Sequence, residues 1–307
     1  MNTTTNNTIF VTIAAWPDWE IKTDVIQRSA QKQGIELIFV DAGKRWFNYF
    51  ENKIVRLYDW LGDYSIQHPE IEYMVFADAR DAVFVKSRNE IFDLCKHFDD
   101  ERVWFNVDMP MCTWPVQAEW FASRISLKYG RGGIANSGVY VGRIDRVLEL
   151  FDRCIALHDF FCSEIESRPG TVEQLIKEAV IDMPGSLFRM KRYSRAETCL
   201  ASDQFHIQSL QATWDDLVAV DTERIAFAPF ADGWPTREKA ETAAAQRGRA
   251  LGERNVDCSA RLRASGTMPL GTAGILHSPW LFPRHKMNDE SNIDAWTRWA
   301  IRENIID

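Results

Sequence analysis

Five side chains in this 307-residue chain have the types and spacing to do chemistry together. Asp78 and Asp81 stand three apart in "FADARDAVF", where an apolar run stops and at once begins again. Asp203 and Gln204 open "DQFHIQSL", and His277 closes the short apolar run "GILH". Two carboxylates in a tight turn can face one ion. Hard divalent cations such as Mn²⁺ and Mg²⁺ take carboxylate oxygens and keep room for phosphate. Imidazole joins carboxylates on Mn²⁺-type ions. Each residue also has a plainer reading by itself. Asp78 can cap the next turn, and Asp81 can pair with Arg80 or Lys86. Asp203 can favour the dipole of the helix it begins, and a lone histidine is more often structural than ligating.

The elements that must position these groups are legible as alternating patterns. "TIFVTIAA" is a β-branched run that reads as a first strand, and "IELIFVDAG" as a second. Between them lies an amphipathic segment with Ile21, Val25 and Ile26, stopped by Gly34. "RWFNYFENKIVRLYDWLGDY" carries Phe50, Ile54, Leu57 and Leu61 at helical spacing. "IEYMVFADARDAVFV" reads as a third strand interrupted by the aspartates. "SRNEIFDLCKHF" opens with Ser87 three before Glu90, a capping-box pattern, and "RVWFNVD" is a fourth strand. This β-α-β-α-β-α-β alternation predicts a mostly parallel, doubly wound α/β sheet, in which ligands bind outside the carboxyl ends of the strands. Asp78 and Asp81 fall at such an end.

The second half is less regular. "ANSGVYVG" places Asn136, Ser137 and Gly138 before a strand, small residues that let backbone approach a ligand. "GVYVGRIDRVLELFDRCIALHDFF" reads as strand, turn and helix, and "SDQFHIQSLQATW" as a helix with Ser202 as its N-cap. "RIAFAPF" is strand-like. An Ala-rich polar helix is expected from Pro235, and Lys and Arg outnumber Asp and Glu over 235–265. A solvated surface helix explains that stretch, as does a lid or acceptor-binding insertion over 233–270.

Composition bounds the class. The chain is 46% hydrophobic and 26% charged, ordinary for a globular domain able to bury a large core. No run approaches the roughly 20 apolar residues of a membrane helix. "MNTTTNNT" lacks the basic start and apolar core of a signal peptide and reads as a disordered tail. Six scattered cysteines without zinc-type spacing suggest reduced thiols and a cytoplasmic location. A net charge of −8 disfavours generic nucleic-acid binding, which needs clustered Lys and Arg.

Taken in order, Lys53, Asp78-Ala79-Arg80-Asp81, Trp114-Pro115, Asn136-Ser137-Gly138, Asp203-Gln204 and His277 resemble the glycosyltransferase domain of procollagen lysyl hydroxylases and its relatives. The strongest part is "NKIVRLYDWL" followed by "EYMVFADARDAVFV", with "FNVDMPMCTWP" similar to the family's strand and Cys-Trp-Pro. The resemblance implies one GT-A-type, Rossmann-like domain over 1–307, with a mostly parallel sheet flanked by helices and an elaborated C-terminal half. It divides into a nucleotide-binding half over 9–110 and a donor-sugar and acceptor half over 111–290. It implies Mn²⁺, or Mg²⁺, on Asp78, Asp81 and His277, bridging the diphosphate of a UDP-sugar donor. Thr12, Ala14 and Ala15 would lie beside the nucleoside, with Ala79 and Arg80 next to them. Lys53 would lie near ribose or phosphate, and Trp114 would border the sugar or acceptor. Asn136, Ser137 and Gly138 would approach the donor sugar. Asp203 and Gln204 would serve near the reacting carbon, and Arg284 or Lys286 would face the diphosphate.

The chain departs from that pattern at Arg80, where the family usually has a tyrosine that stacks on uracil; a guanidinium plane also stacks on a base. "CLASDQ" lacks the acidic run before Asp-Gln, and "HSPWLFPRHK" replaces the family's Gly-Asn-Gly after its histidine. Two rivals share the scaffold. A sugar nucleotidyltransferase usually carries a Gly-rich basic loop after the first strand, and "AAWPDWE" is neither. A non-catalytic nucleotide-sugar-binding protein has no chemical need for both aspartates, the histidine and Asp-Gln together. The acceptor can be a glycan, a protein side chain, a lipid-linked sugar or a modified nucleic acid.

Overall fold

The computed structural model of the chain describes residues 7–107, 135–167, 200–213, 216–229, 273–277, 297, 300–301 and 304–307. Trp114, Arg284, Lys286, the stretch 233–270 and the helix expected within it lie outside the described residues.

The described strands are, in chain order, β1 (Thr8–Ile13), β2 (Leu37–Val40), β3 (Tyr73–Ala77), β4 (Ala82–Phe84), β5 (Val103–Val107), β6 (Ala135–Arg143), β7 (Val218–Val220), β8 (Phe227–Pro229) and β9 (Ile275–His277). The helices are α1 (Trp19–Lys22), α2 (Asp24–Lys32), a π-helical turn at Glu51–Val55 running into α3 (Arg56–Gln67), then α4 (Arg88–Cys95), α5 (Ile144–Ser167) and α6 (Asp203–Thr213). The main sheet has the order β2-β1-β3-β6-β5-β7. Strands β2, β1 and β3 are mutually parallel, as are β5 and β7, and β6 runs antiparallel to both neighbours. The sheet is therefore mostly parallel, as the α/β expectation required.

Burial on both faces explains why the central strands read as continuous apolar runs. All six residues of β1 are buried, and their side chains alternate between two cores. Val11 and Ile13 pack with Leu57, Leu61, Phe151 and Leu210, so α3, α5 and α6 cover one face. Phe10 packs with Ile26, Phe92, Phe84 and Ile275, so α2, α4 and a second sheet of order β4-β9-β8 cover the other. Among the described residues no helix is long and apolar enough to cross a membrane.

Three local expectations change. The interrupted third strand is two strands: β3 belongs to the main sheet and β4 to the small one, and the aspartates occupy the crossing. Asn136, Ser137 and Gly138 lie within β6 rather than before it. The first helical segment breaks at Thr23, whose Oγ1 donates to the Trp19 carbonyl at 2.8 Å. The capping box is present: the Glu90 N–H donates to Ser87 Oγ and the Ser87 N–H to Glu90 Oε2.

Candidate metal centre

The turn between β3 and β4 is fixed at both ends. The Asp78 N–H donates to the Gly138 carbonyl at 2.7 Å, and the Ala82 N–H donates back to the Asp78 carbonyl at 3.2 Å. One closed turn thus separates Asp78 from Asp81. Ala82 then pairs with His277, the last residue of β9. That register brings a histidine from far along the chain against the aspartates. His277 Nε2 lies 3.6 Å from Asp78 Oδ2 and 3.5 Å from Asp81 Oδ1. One ligand atom from each residue lies within 4.8 Å of the others.

The residues fit a divalent cation. His277 is buried, and its Nε2 has no hydrogen-bond partner among the described residues. Burial pulls the imidazole down, but the Asp81 and Asp78 carboxylates, each within 3.6 Å of Nε2, reverse this and raise it to about 9. Burial also pushes the Asp81 carboxyl up, yet His277, Lys53 and Arg80 hold it below the usual carboxylate range. Without a cation, the aspartates therefore hold a proton on the imidazole.

Gly138 makes the close approach possible. Register between β5 and β6 slips so that Phe105 faces Tyr140 and Asn106 faces Asn136, which leaves residues 137–139 without partners on β5. A β-carbon on Gly138 would lie 2.1 Å from both Cε1 and Nε2 of His277. The Gly138 N–H donates to Asn136 Oδ1 at 2.9 Å, and Asn136 Nδ2 donates to Gln204 Oε1 at 3.4 Å.

Lys53 is the cross-brace. It sits in the π-helical turn, a local widening often found at functional sites. Its ammonium is buried, 2.8 Å from Asp78 Oδ1 and 2.9 Å from Asp203 Oδ2. Burial would neutralise it, but Asp203 and Asp78 keep it charged by raising it above the ordinary lysine range. Asp203 opens α6, where the Phe205 N–H donates to Ser202 Oγ at 3.3 Å. The Phe50 N–H donates to the Ala201 carbonyl at 3.0 Å, tying the lysine-bearing turn to the start of that helix. Once a cation displaces the imidazole proton, three carboxylates and one ammonium sum to −2, a charge that one divalent ion cancels.

The remaining expected residues among those described lie at the end of β1 and in the turn after β3. Thr12, Ala14 and Ala15 are fully buried, and Ala79 is nearly so. The Ala14 carbonyl accepts N–H groups from both Trp16 and Gly43. The Arg80 guanidinium lies 5.9 Å from the Trp16 ring, which stacks on Trp46 at 5.2 Å with Tyr49 edge-on beyond. Sequence reasoning did not single out Trp16, Trp46, Asn106 or Asp41. Asp41 follows β2 with φ at 56°, a conformation few side chains adopt, and pairs with Lys44 and Arg56. Two tryptophans flanking the first two strand ends were the available signal. Asp41's φ left none.

No family model matches the chain, and no curated protein matches it. Among solved structures it is similar to a glycosyltransferase involved in the glycosylation of the major capsid of PBCV-1, at 9% identity and a TM-score of 0.41, over 93% of this chain and 98% of that one. Nothing about this chain's activity follows from a likeness at that level. The resemblance to the lysyl hydroxylase glycosyltransferase domain rests on the motifs alone.

Proposed function

We propose that the chain is a glycosyltransferase that moves a sugar from a nucleotide-sugar, a UDP-sugar in the first instance, to a hydroxyl-bearing acceptor. The observation that carries this reading is the meeting of Asp78, Asp81 and His277 at the carboxyl end of a parallel strand. These three would hold Mn²⁺ or Mg²⁺. When bound, the cation supplies Lewis-acid stabilisation of the diphosphate leaving group. Arg80 and Trp16 form a cationic and aromatic edge suited to a base. Asp203 and Gln204, at the start of α6, connect to the site through Lys53 and Asn136 respectively.

The nucleotidyltransferase alternative is disfavoured by the loop after β1. Its Trp16 N–H is spent on the Ala14 carbonyl instead of being offered to a triphosphate. Incubation with Mn²⁺ and a panel of UDP- and GDP-sugars should give slow donor hydrolysis and cation-dependent nucleotide binding. Absence of both defeats the enzyme reading.

A further inference from the structure

Asn106 lies opposite the bulge in β6, at the point where register slips, and such irregularities re-aim side chains beside functional sites. It is fully buried. Its Nδ2 lies 3.5 Å from His277 Nδ1, while its Oδ1 has no hydrogen-bond partner among the described residues. The two ends of a primary amide have the same shape, and a half-turn of the group exchanges them. With Nδ2 against Nδ1, a neutral ring must carry its proton on Nε2, facing Asp78 and Asp81, where it would exclude a cation. With Oδ1 against Nδ1, the ring donates Nδ1–H to an oxygen that otherwise lacks a donor. The Nε2 lone pair then points at the aspartates.

We propose that Asn106 is a positioning residue whose Oδ1 accepts the Nδ1–H of His277, fixing the tautomer and ring plane that leave Nε2 free for a divalent cation. This rests on the reading of Asp78, Asp81 and His277 as a cation site. It adds a partner that neither the motifs nor the charge pattern marks. Metal-bound imidazoles commonly need such an acceptor on the second nitrogen.

The test uses bare Mn²⁺ and the whole chain, without nucleotide. Asn106→Leu keeps the bulk and removes the acceptor; Asn106→Asp keeps the acceptor. Calorimetric titration should show Asn106→Leu binding Mn²⁺ about 10- to 100-fold more weakly than wild type. Asn106→Asp should bind at least as tightly as wild type. A role in packing alone gives the opposite order, with Leu tolerated and Asp not, and that order overturns the inference. A second measurement needs no variant. In ¹⁵N spectra of wild type loaded with Cd²⁺ as a diamagnetic probe, His277 should carry its proton on Nδ1 and the metal on Nε2. A proton on Nε2 overturns the inference. Wild type that binds no Mn²⁺ removes the cation site and this inference with it. Wild-type binding with an unchanged Asn106→Leu removes only the role of Asn106.

Discussion

His277 and His206 sit equally far from solvent, at 1% and 0% exposure, and are driven in opposite directions. His206 Nδ1–H donates to the Ser202 carbonyl at 2.7 Å, and its Nε2 lies 3.2 Å from His158 Nδ1. Phe50 packs against both rings. Burial pushes His206 down to about 4; the Ser202 carbonyl and the charge of Asp203 compensate little, and His158 pushes the same way as burial. Burial acts on His277 in the same sense, yet two carboxylates within 3.6 Å lift it to about 9. Burial sets the penalty for a charge, and neighbours decide whether it is overcome. One imidazole is a packing group that shuns charge. The other faces two carboxylates that hold a charge on it.

The sharpest way to break this contrast is to remove the cation-facing groups. His277→Ala or Asp81→Ala should reduce Mn²⁺-dependent nucleotide binding by at least about a hundredfold, since loss of an outer partner alone typically costs 10- to 100-fold. Circular dichroism should show the fold intact, because the elements around the turn pack through the apolar cores. Wild-type affinity in either variant refutes the cation assignment.

A somewhat smaller effect is expected from backbone space. Gly138→Ala would drive a β-carbon into the His277 ring, and should weaken Mn²⁺ binding by about tenfold or more as the ring moves off the aspartates. Gly62 in α3 is the control. A β-carbon there meets nothing within 4 Å, so Gly62→Ala should leave Mn²⁺ affinity unchanged and raise stability by roughly 0.5–1 kcal/mol. Equal Mn²⁺ affinities in the two variants would show that Gly138 does not hold the ring's place.

What sequence could and could not reveal follows from the range of each interaction. The main strands are legible because two-sided burial demands unbroken apolar runs. The split of β3 from β4 is not legible, since transfer of the chain between sheets leaves no local pattern. Asp78 and Asp81 stand out as carboxylates at a strand end, but their meeting with His277 depends on the β4–β9 register. Lys53 is visible as a motif residue. That its charge goes to Asp78 and Asp203 depends on the π-helical turn. Asn106 is one polar letter in "VWFNV", and nothing local says that a histidine ring lies beyond it. In sequence Gly138 reads as room for a ligand, and the described contact filling that room is the His277 ring.

The smallest expected effects are on stability, and they set the two histidines against each other by sign. For His206 the folded value lies below the ordinary one near 6.5, so the unfolded chain binds more protons between about pH 4 and 6.5. Its contribution is complete above that window and is lost as pH falls through it. For His277 the folded value lies above the ordinary one, so in metal-free protein its contribution is complete below about pH 6.5 and is lost as pH rises toward about 9. Chemical denaturation of the metal-free chain should show both limbs, each on the order of a few kcal/mol. His206→Leu should flatten the acid limb, cost about 0.5–1.5 kcal/mol at neutral pH by removing the imidazole's hydrogen bond to the Ser202 carbonyl, and leave Mn²⁺ affinity within roughly threefold. His277→Ala should flatten the alkaline limb alone. Mn²⁺ replaces the His277 proton, so wild-type affinity should rise about tenfold per pH unit up to about pH 9 and then level off. A slope that also disappears in His206→Leu would mean that the two imidazoles titrate as one unit, and the contrast between them would fail.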